Sequence, residues 1–161
     1  MSGFSKPVQL AAGAHIEGFC CGEDVVDAWV KEHSATARAR GSAVVYVSYH
    51  DGTPAGFYTL SAHCVAREDV AGGWFARNTP AQVPAVLLGM LGVDKRFQGH
   101  GLGASLLRDA VQNAMKVAQM AGAKALVVEP AGDTAARFYE HFGFTRLAGT
   151  GKMALKLPRA D

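Results

Sequence analysis

The most informative stretch of the chain is Arg96-Phe97-Gln98-Gly99-His100-Gly101-Leu102-Gly103, which lies between an apolar run and a long amphipathic segment. Glycines at such a point allow a tight turn whose backbone N–H groups face inward with no side chain in the way. The N-terminus of the following helix adds partial positive charge, and Lys95 and Arg96 can add more. The sequence therefore predicts a binding site for a diphosphate group at this turn.

The segments on either side of the turn predict a strand, a helix and a second strand. The continuous apolar run from Val83 to Val93 is typical of a buried strand, and Ala125 to Val128 predicts another. Between them we expect a helix from about Gly101 to Ala121, ended by Gly122. Its buried stripe is predicted to comprise Leu102, Leu106, Leu107, Ala110, Ala114, Val117 and Ala121. A strand, a helix and a strand of this length form a right-handed parallel crossover.

The residues before this unit predict a helix and a hairpin. Helical spacing of apolar residues indicates a helix from about Glu23 to Arg40, with Gly41 at its end. Two strands follow, about Ala43 to Tyr49 and Ala55 to Val65, joined by the turn-forming stretch His50-Asp51-Gly52-Thr53-Pro54. The polar stretch from Arg67 to Gln82 predicts a loop, with room for a short helix.

The last thirty residues predict a short helix and two strands. The helix is expected from about Asp133 to His141, before Gly143. The strands are expected near Phe144 and over Met153 to Leu157. Together these elements predict an α/β fold with helices on both faces of a mixed sheet.

Size and composition narrow the class of protein. The chain has 161 residues, 49% of them hydrophobic and 19% charged, so we expect one globular domain over residues 1–161. There is no signal pattern, and no apolar run approaches the ~20 residues of a membrane span. Cys20, Cys21 and Cys64 are expected to be reduced thiols in the core of a cytoplasmic protein. The scattered histidines predict no metal site, and the net charge of +2 does not by itself indicate nucleic-acid binding.

Three ligands bind to glycine turns of this general kind. A Walker phosphate loop requires a glycine–lysine spacing that is absent here. A dinucleotide-binding fold is a second alternative, because Gly99-x-Gly101-x-x-Ala104 fits its loose pattern and Glu129 lies near the position of a ribose-binding acid. That fold normally adds further strand–helix units, whereas only one short helix and an antiparallel-looking tail follow here. The third alternative is coenzyme A.

Two motifs resemble those of the GNAT acetyltransferases. The first is Arg96-x-x-Gly99-x-Gly101 between strand and long helix; the second is Ala135-x-x-x-Tyr139 followed by Gly143-Phe144. The resemblance implies a GNAT fold, with a mixed, mostly antiparallel sheet of six to seven strands and about four helices on both faces. It also implies that the two parallel central strands splay apart, and that acetyl-CoA is the acetyl donor.

The same resemblance implies roles for individual residues. Pantetheine would pair with Leu91 to Val93, a backbone N–H near Leu91 would stabilise the oxyanion, and Gln98 to Ala104 would hold the diphosphate. The implied cofactor-binding set is Leu91, Gly92, Val93, Arg96, Gln98, Gly99, His100, Gly101, Leu102, Gly103 and Ala104. Tyr139 corresponds to the acid that protonates the departing thiolate. Apart from the resemblance, Glu129 is the nearby carboxylate that could serve as a general base, although a solvated loop acid is the more ordinary interpretation. Many members carry Asn where this chain has Gly132, which puts cofactor contacts from that loop in doubt.

Further stretches resemble the GNAT toxins of bacterial toxin–antitoxin pairs. They include Phe19-Cys20-Cys21-Gly22-Glu23, Ala55-Gly56-Phe57-Tyr58-x-Leu60 and Arg77-Asn78-x-Pro80. Such toxins acetylate the α-amine of aminoacyl-tRNA, stop translation and are neutralised by a ribbon-helix-helix antitoxin; dimers are common. From charge alone, the residues that could bind tRNA phosphates are Arg38, Arg40, Arg77 and Lys95, with Arg96 beside them, although ordinary solvated surface charge explains them as well.

Two other functions stay open at this point. One is an acetyltransferase for a small amine or a protein N-terminus. The other is a binding module that holds an acyl-CoA without catalysis. Tyr139 argues against the second, because binding alone needs no proton donor.

Overall fold

The computed structural model describes residues 3–70 and 73–158, which form a seven-stranded mixed sheet in the order β1-β2-β3-β4-β5-β7-β6. The strands are β1 Val8–Gln9, β2 Val44–His50, β3 Thr53–Ala66, β4 Gln82–Val93, β5 Ala125–Val128, β6 Thr145–Arg146 and β7 Met153–Lys156. Across the described ranges there are three α-helices, α1 Asp24–His33, α2 Leu102–Ala121 and α3 Asp133–His141, and two short 3₁₀ turns, Arg67–Asp69 and Lys95–Phe97. Two compact units are present, Met1–Ser61 with Gly89–Ala110 and Ala62–Leu88 with Val111–Asp161.

The first unit contains the predicted hairpin. Strands β2 and β3 pair antiparallel, and the turn between them places Asp51 at φ 48° and Gly52 at φ 79°. Two consecutive left-handed residues are what a tight hairpin turn of the Asp-Gly type requires. Strand β1 was not predicted; it pairs with β2 at only two positions, Val8 with Val47 and Gln9 with Tyr46. Its existence depends on this distant partner and not on a local pattern.

Helix α1 is shorter than predicted. It ends at His33, whereas the apolar spacing predicted a helix as far as Arg40. Just past this end, the hydroxyl of Ser34 donates a hydrogen bond to the carbonyl of Val30 (2.5 Å). A serine hydroxyl that bonds a carbonyl four residues back competes with the helical pattern, and the chain continues through irregular turns to Gly41 at φ 69°.

Strand β4 and helix α2 flank the glycine turn as predicted, but the apolar stripe of α2 is shorter than expected. Leu102, Leu106, Leu107, Ala110 and Ala114 are buried. Val117 is 40% exposed and Ala121 is also exposed, so the prediction was wrong for these two residues. Helical spacing shows which residues share a face, but not how far along the helix that face is covered.

The second unit contains β5 and α3 with the predicted bounds. The parallel pairing of β4 with β5 comprises Val86 with Leu126 and Leu87 with Val127. On its other edge β5 pairs antiparallel with β7, which in turn pairs with β6. The core of this unit is a cluster of buried residues, Val65, Val70, Phe75, Val83, Ala85, Ala125, Val127, Leu147 and Ala154.

The cysteines are not in the core, contrary to prediction. All three are free thiols; Cys20 and Cys64 are exposed and Cys21 is half-buried. Cys20 and Cys21 lie in the loop before α1, where their backbones rather than their thiols make most of the contacts. Separately, none of the helices in the described ranges is long and apolar enough to cross a membrane.

Candidate active site

The glycine turn, defined here as residues 96–104, leaves a set of backbone donors without acceptors. Gly99 and Gly101 have φ of 83° and 79°, which other residues rarely adopt, and an added Cβ at either would meet nothing within 4 Å. In the described chain, no protein acceptor is found for the backbone N–H groups of residues 98–104. The first bonded donor of α2 is the N–H of Ser105, which bonds the carbonyl of Gly101 (3.2 Å). Unpaired N–H groups at the start of a helix form an anion site.

Behind the turn lies a buried carboxylate. Asp94 is 2% exposed, and its two oxygens accept hydrogen bonds from the backbone N–H of Arg96 (3.0 Å), from Nε (2.9 Å) and Nη2 (3.2 Å) of Arg96, and from the backbone N–H of Cys20 (3.1 Å). Burial alone would raise the pKa of Asp94, but the hydrogen bonds and charge of Arg96 and the N–H of Cys20 hold the pKa below its ordinary value. Asp94 is therefore an ionised and fully bonded group.

The side chain of Gln98 also faces the protein. Its Nε2 donates hydrogen bonds to the carbonyls of Cys21 and Val93, each at 2.9 Å. The backbone N–H of Lys95 donates to the carbonyl of Cys20 (2.9 Å). We call Phe19–Gly22 the buttress loop, because these bonds join it to the glycine turn.

The buttress loop is itself held by α1. The carboxylate of Asp27 accepts from the backbone N–H groups of Cys21 (2.8 Å) and Gly22 (3.2 Å) and from the thiol of Cys20 (3.5 Å). Burial opposes ionisation of Asp27, but these bonds lower its pKa. Burial is also the main cause that raises the pKa of the Cys21 thiol to about 11, so this thiol is protonated at neutral pH.

The predicted pantetheine strand, Leu91 to Val93, is packed closely on one face. An added Cβ on Gly92 would lie 3.2 Å from Phe57 and from Val26, and 3.4 Å from Phe19. A larger residue here would press on these three side chains, whereas at Gly99 and Gly101 glycine is needed for the backbone conformation. Leu102, also in the predicted cofactor set, has its side chain in the core at 3% exposure, so only its backbone N–H is available to a ligand. His100 is exposed, with its ring centroid 6.4 Å from that of Phe4.

Tyr139 belongs to the second unit, on α3. Its ring packs against Phe138 and Phe144, with centroids 5.3 Å away in each case. Phe144 is buried, as expected for a core aromatic. Burial raises the pKa of Tyr139 to about 12, so the phenol carries its proton throughout the neutral range.

The same unit contains the carboxylate nominated as a base. Glu129 follows directly after β5 and is exposed. One nearby group was missed by sequence reasoning: His63 on β3, whose Nε2 is buried without a hydrogen-bond partner in the described residues. Burial, reinforced by the charge of Lys152 and opposed by that of Glu129, lowers the pKa of His63. A histidine within a strand gives no sequence signal of this kind.

The family of the chain follows from comparison with known proteins. A model of the acetyltransferase (GNAT) domain matches residues 41–146, a stretch that contains β4, the glycine turn, α2 and Tyr139. The chain belongs to the GNAT acetyltransferase family. Over its full length it is 37% identical to the "tRNA-acetylating toxin" of Mycobacterium tuberculosis (strain ATCC 25618 / H37Rv), of which it covers 96%.

Solved structures give the same fold. The chain is 24% identical to AtaT complexed with acetyl-methionyl-tRNAfMet, with a TM-score of 0.84 over 95% of this chain and 94% of that one. It is 23% identical to the AtaT Y144F mutant toxin bound to the C-terminus of the antitoxin AtaR and acetyl-CoA, with a TM-score of 0.80 over 96% and 94%. At these identities the likeness concerns the fold.

The basic residues predicted to bind tRNA are all exposed in this GNAT acetyltransferase. Arg38, Arg40 and Lys95 lie in the first unit and Arg77 in the second. Arg38 and Arg40 lie in the turns that follow α1. Burial raises the pKa of Tyr46, and the nearby charge of Arg38 partly opposes that increase. Lys95 takes part in no ion pair among the described residues, whereas its neighbour Arg96 is paired with Asp94.

Proposed function

We propose that this acetyltransferase transfers the acetyl group of acetyl-CoA to the α-amine of an aminoacyl-tRNA and is a toxin that blocks translation. The observation that carries the proposal is the 37% identity to the tRNA-acetylating toxin over all 161 residues. Because the likeness extends over the whole chain, it includes both the glycine turn and Tyr139. We further propose that residues 1–161 act as one catalytic domain.

The donor side of the reaction is supported by the unpaired amides of residues 98–104. A diphosphate carries two negative charges, which the N-terminus of α2 attracts and which these N–H groups can bond directly. The end of β4, Leu91 to Val93, would pair with the amides of pantetheine and place the thioester near an N–H that stabilises its oxyanion. Acetyl-CoA would supply the activated acetyl group.

Tyr139 is the proposed general acid. As the amine nitrogen forms its bond to the acyl carbon, the carbon–sulfur bond breaks and its electron pair stays on sulfur. The Tyr139 hydroxyl then gives its proton to that sulfur, and the amine loses one proton, so amide and thiol are the products. The proton released by the amine returns through solvent to the Tyr139 oxygen, which restores the acid for the next turnover. The raised pKa of Tyr139 ensures that the acid form is present at any physiological pH.

The acceptor amine fits a site without a strong base. An α-amine with a pKa near ~7.8 is neutral in roughly one molecule in seven at pH 7, whereas a lysine amine near ~10.4 is neutral in about one in a few thousand. An aminoacyl ester lowers the amine pKa further. Glu129 is the proposed acceptor for the proton that the amine releases, an accessory role for an exposed carboxylate.

The remaining assignments concern partners. Arg38, Arg40, Arg77 and Lys95 are proposed to bind tRNA phosphates, because each is exposed and cationic. A ribbon-helix-helix antitoxin encoded nearby, a homodimeric state and a cytoplasmic location complete the proposal. The antitoxin is supported by the AtaR segment bound to AtaT, a protein of the same fold.

The test is acetylation of bulk charged tRNA by purified protein and acetyl-CoA, followed by mass spectrometry of the released aminoacyl adenosines. We expect an N-acetyl group on at least one aminoacyl species, and growth arrest when the protein is expressed alone. Acetylation of free amines but not of charged tRNA would contradict the substrate, and normal growth with soluble protein would contradict the toxin.

The Tyr139→Phe variant tests the acid. We expect kcat to fall by about 10²-fold or more, with little change in affinity for acetyl-CoA, because the ring and its packing are retained. Tyr49→Phe, a half-buried tyrosine of β2, is the matched control and should keep wild-type kcat. Equal kcat in Tyr139→Phe and wild type would remove Tyr139 from the chemistry.

A further inference from the structure

We propose that Arg96 and Gln98 are positioning residues and not phosphate contacts: together with Asp94 and the buttress loop they hold the glycine turn so that its backbone N–H groups stay open to the ligand. The proposal rests on the diphosphate site proposed above. It reassigns the two polar side chains that the motif places nearest the ligand, and it leaves phosphate recognition to the backbone amides.

The side chain of Arg96 is bound to a buried carboxylate. Its guanidinium meets Asp94 through both Nε and Nη2, at 2.9 Å and 3.2 Å. The carboxylate is only 3% exposed, whereas the arginine side chain is 56% exposed. If Arg96 moved to a phosphate, a buried carboxylate would lose its charged partner, which is costly. The Cζ atom of Arg96 also lies 5.5 Å from the ring centroid of Phe97, a second contact that holds the guanidinium in place.

The side-chain amide of Gln98 bonds to the protein backbone. Both of its side-chain hydrogen bonds go to backbone carbonyls, one at the end of β4 and one in the buttress loop. The amide group thus bridges Val93 and Cys21, the two segments that precede and support the turn. A residue that bonded a phosphate with this same Nε2 would give up the bridge.

The buttress loop is bonded to the residues before the glycine turn and to α1. Asp94 and Lys95 bond the buttress loop through the N–H and carbonyl of Cys20, and Asp27 bonds the N–H groups of Cys21 and Gly22. The backbone and side-chain groups named here therefore have partners within the protein. The contrast with residues 98–104, whose N–H groups have none, separates the supporting part of the turn from the part that faces the ligand.

The two adjacent cations, Lys95 and Arg96, differ in their ion pairing. Because Asp94 neutralises Arg96, the nearby cation available to attract a diphosphate from solution is Lys95, which has no ion pair among the described residues. Two adjacent cations that look equivalent in sequence therefore have different roles. Lys95 acts on the ligand through long-range attraction, and Arg96 acts through the position of the turn.

The experiment measures acetyl-CoA affinity by calorimetry for wild type, Arg96→Lys, Arg96→Ala, Asp94→Asn and the Asp94→Asn/Arg96→Ala pair. If Arg96 acts through Asp94, Arg96→Lys loses the two-point contact and weakens affinity by about tenfold, as much as Arg96→Ala. The double variant should then be no weaker than either single variant. An Arg96→Lys variant with near wild-type affinity, or additive losses in the double variant, would overturn the proposal.

Steady-state kinetics supplies the readout that general damage to the fold would not give. We expect KM for acetyl-CoA to rise in Arg96→Lys and Gln98→Leu while kcat at saturating donor changes less than about twofold. With S-acetylpantetheine, a donor that lacks the diphosphate, these variants should match wild type. Loss of turnover with both donors would contradict a role confined to the turn. Arg108→Lys, an exposed arginine on α2, is the matched control and should be unchanged.

These measurements distinguish two failures. Calorimetry with acetyl-CoA requires no tRNA, so a wild-type protein that does not bind acetyl-CoA would refute the proposed function itself. A wild type that binds, together with an Arg96→Lys variant that binds equally well, would refute only the positioning role.

Discussion

The two helix N-termini in the first unit differ in the charge placed around them. The first turn of α1 contains two carboxylates, Asp24 and Asp27, and Asp27 also bonds the backbone N–H groups of Cys21 and Gly22 in the loop ahead of the helix. At α2 there is no acidic residue in the first turn, and the N–H groups of residues 98–104 have no acceptor in the described chain. The protein supplies negative charge beside one N-terminus and none beside the other.

The difference has a cost in stability. A carboxylate in the first turn of a helix typically contributes about 0.3–1 kcal/mol through the helix dipole. Helix α2 lacks that contribution, and its first N–H groups depend on water or on a bound anion. Glycine is also costly to order, so the turn depends on its contacts with Asp94 and the buttress loop.

The largest effect is expected from placing a carboxylate beside the unpaired N–H groups at the N-terminus of α2. Gly101→Asp places a negative charge among the unpaired N–H groups, where an added Cβ meets nothing within 4 Å. The carboxylate would accept hydrogen bonds from these N–H groups, and its charge would repel the diphosphate. We therefore expect acetyl-CoA affinity to fall at least about 100-fold. Isothermal titration calorimetry measures the change.

Gly13→Asp is the matched control. Gly13 has φ of 78°, against 79° for Gly101, and its added Cβ also meets nothing within 4 Å. Both variants therefore carry the same backbone strain and the same charge, but only one lies at the turn. Equal acetyl-CoA affinity in the two variants would mean that the N-terminus of α2 is not the diphosphate site.

A smaller effect is expected from releasing the buttress loop from α1. Asp27→Ala removes the acceptor of two backbone N–H groups, and we expect the free energy of unfolding to fall by about 1–2 kcal/mol. Urea denaturation measures it. Asp24→Ala removes an exposed carboxylate one turn earlier and should change stability by less than about 0.5 kcal/mol. Similar losses in both variants would show that Asp27 acts by its charge near the helix and not by its hydrogen bonds.

Acid should weaken the same contact. The pKa of Asp27 is lower in the folded chain than its ordinary value of 3.8, chiefly because the N–H and thiol bonds outweigh the effect of burial. The stability that it contributes is therefore present above pH 3.8 and is lost as the pH falls through the folded pKa. Between pH 5 and pH 2 the free energy of unfolding should fall more steeply in wild type than in Asp27→Asn. Parallel curves would contradict the assignment.

The sequence predicted those parts of the molecule that depend on local patterns. The bounds of β5 and α3 agree with the prediction, and the hairpin turn at Asp51 and Gly52 follows from turn chemistry that acts over four residues. Strand β1 could not be predicted in this way, because two exposed residues become a strand only through their pairing with β2. The end of α1 was missed because the apolar spacing continues beyond His33, where the helix ends.

For the candidate site, spacing identified the backbone but not the orientation of side chains. The glycine pattern located the turn, whereas nothing in Arg96-x-Gln98 indicates that both side chains face the protein. The partner of Arg96 could have been suspected, since Asp94 is a carboxylate directly after an apolar strand and two residues before an arginine. Asp27 gave a weaker signal, because an acid in the first turn of a helix is ordinary. Its bonds depend on the path of the buttress loop, which the sequence does not specify.

The smallest effect is expected at the N-terminus of α3, which has no side-chain cap and lacks the left-handed glycines of the glycine turn. The N-cap of α3 is Gly132, in extended backbone with φ of 171°, with no side-chain cap and nothing within 4 Å of an added Cβ. Gly132→Ser should therefore raise the free energy of unfolding by a few tenths to about 1 kcal/mol, through a new hydroxyl acceptor and a less flexible unfolded chain. Gly132→Ala separates the two causes, since it restricts the unfolded chain without capping. If both variants stabilise equally, capping contributes nothing here. If Gly132→Ser instead weakens acetyl-CoA binding, the N-terminus of α3 also contributes to binding of the donor, and the site is not confined to the glycine turn.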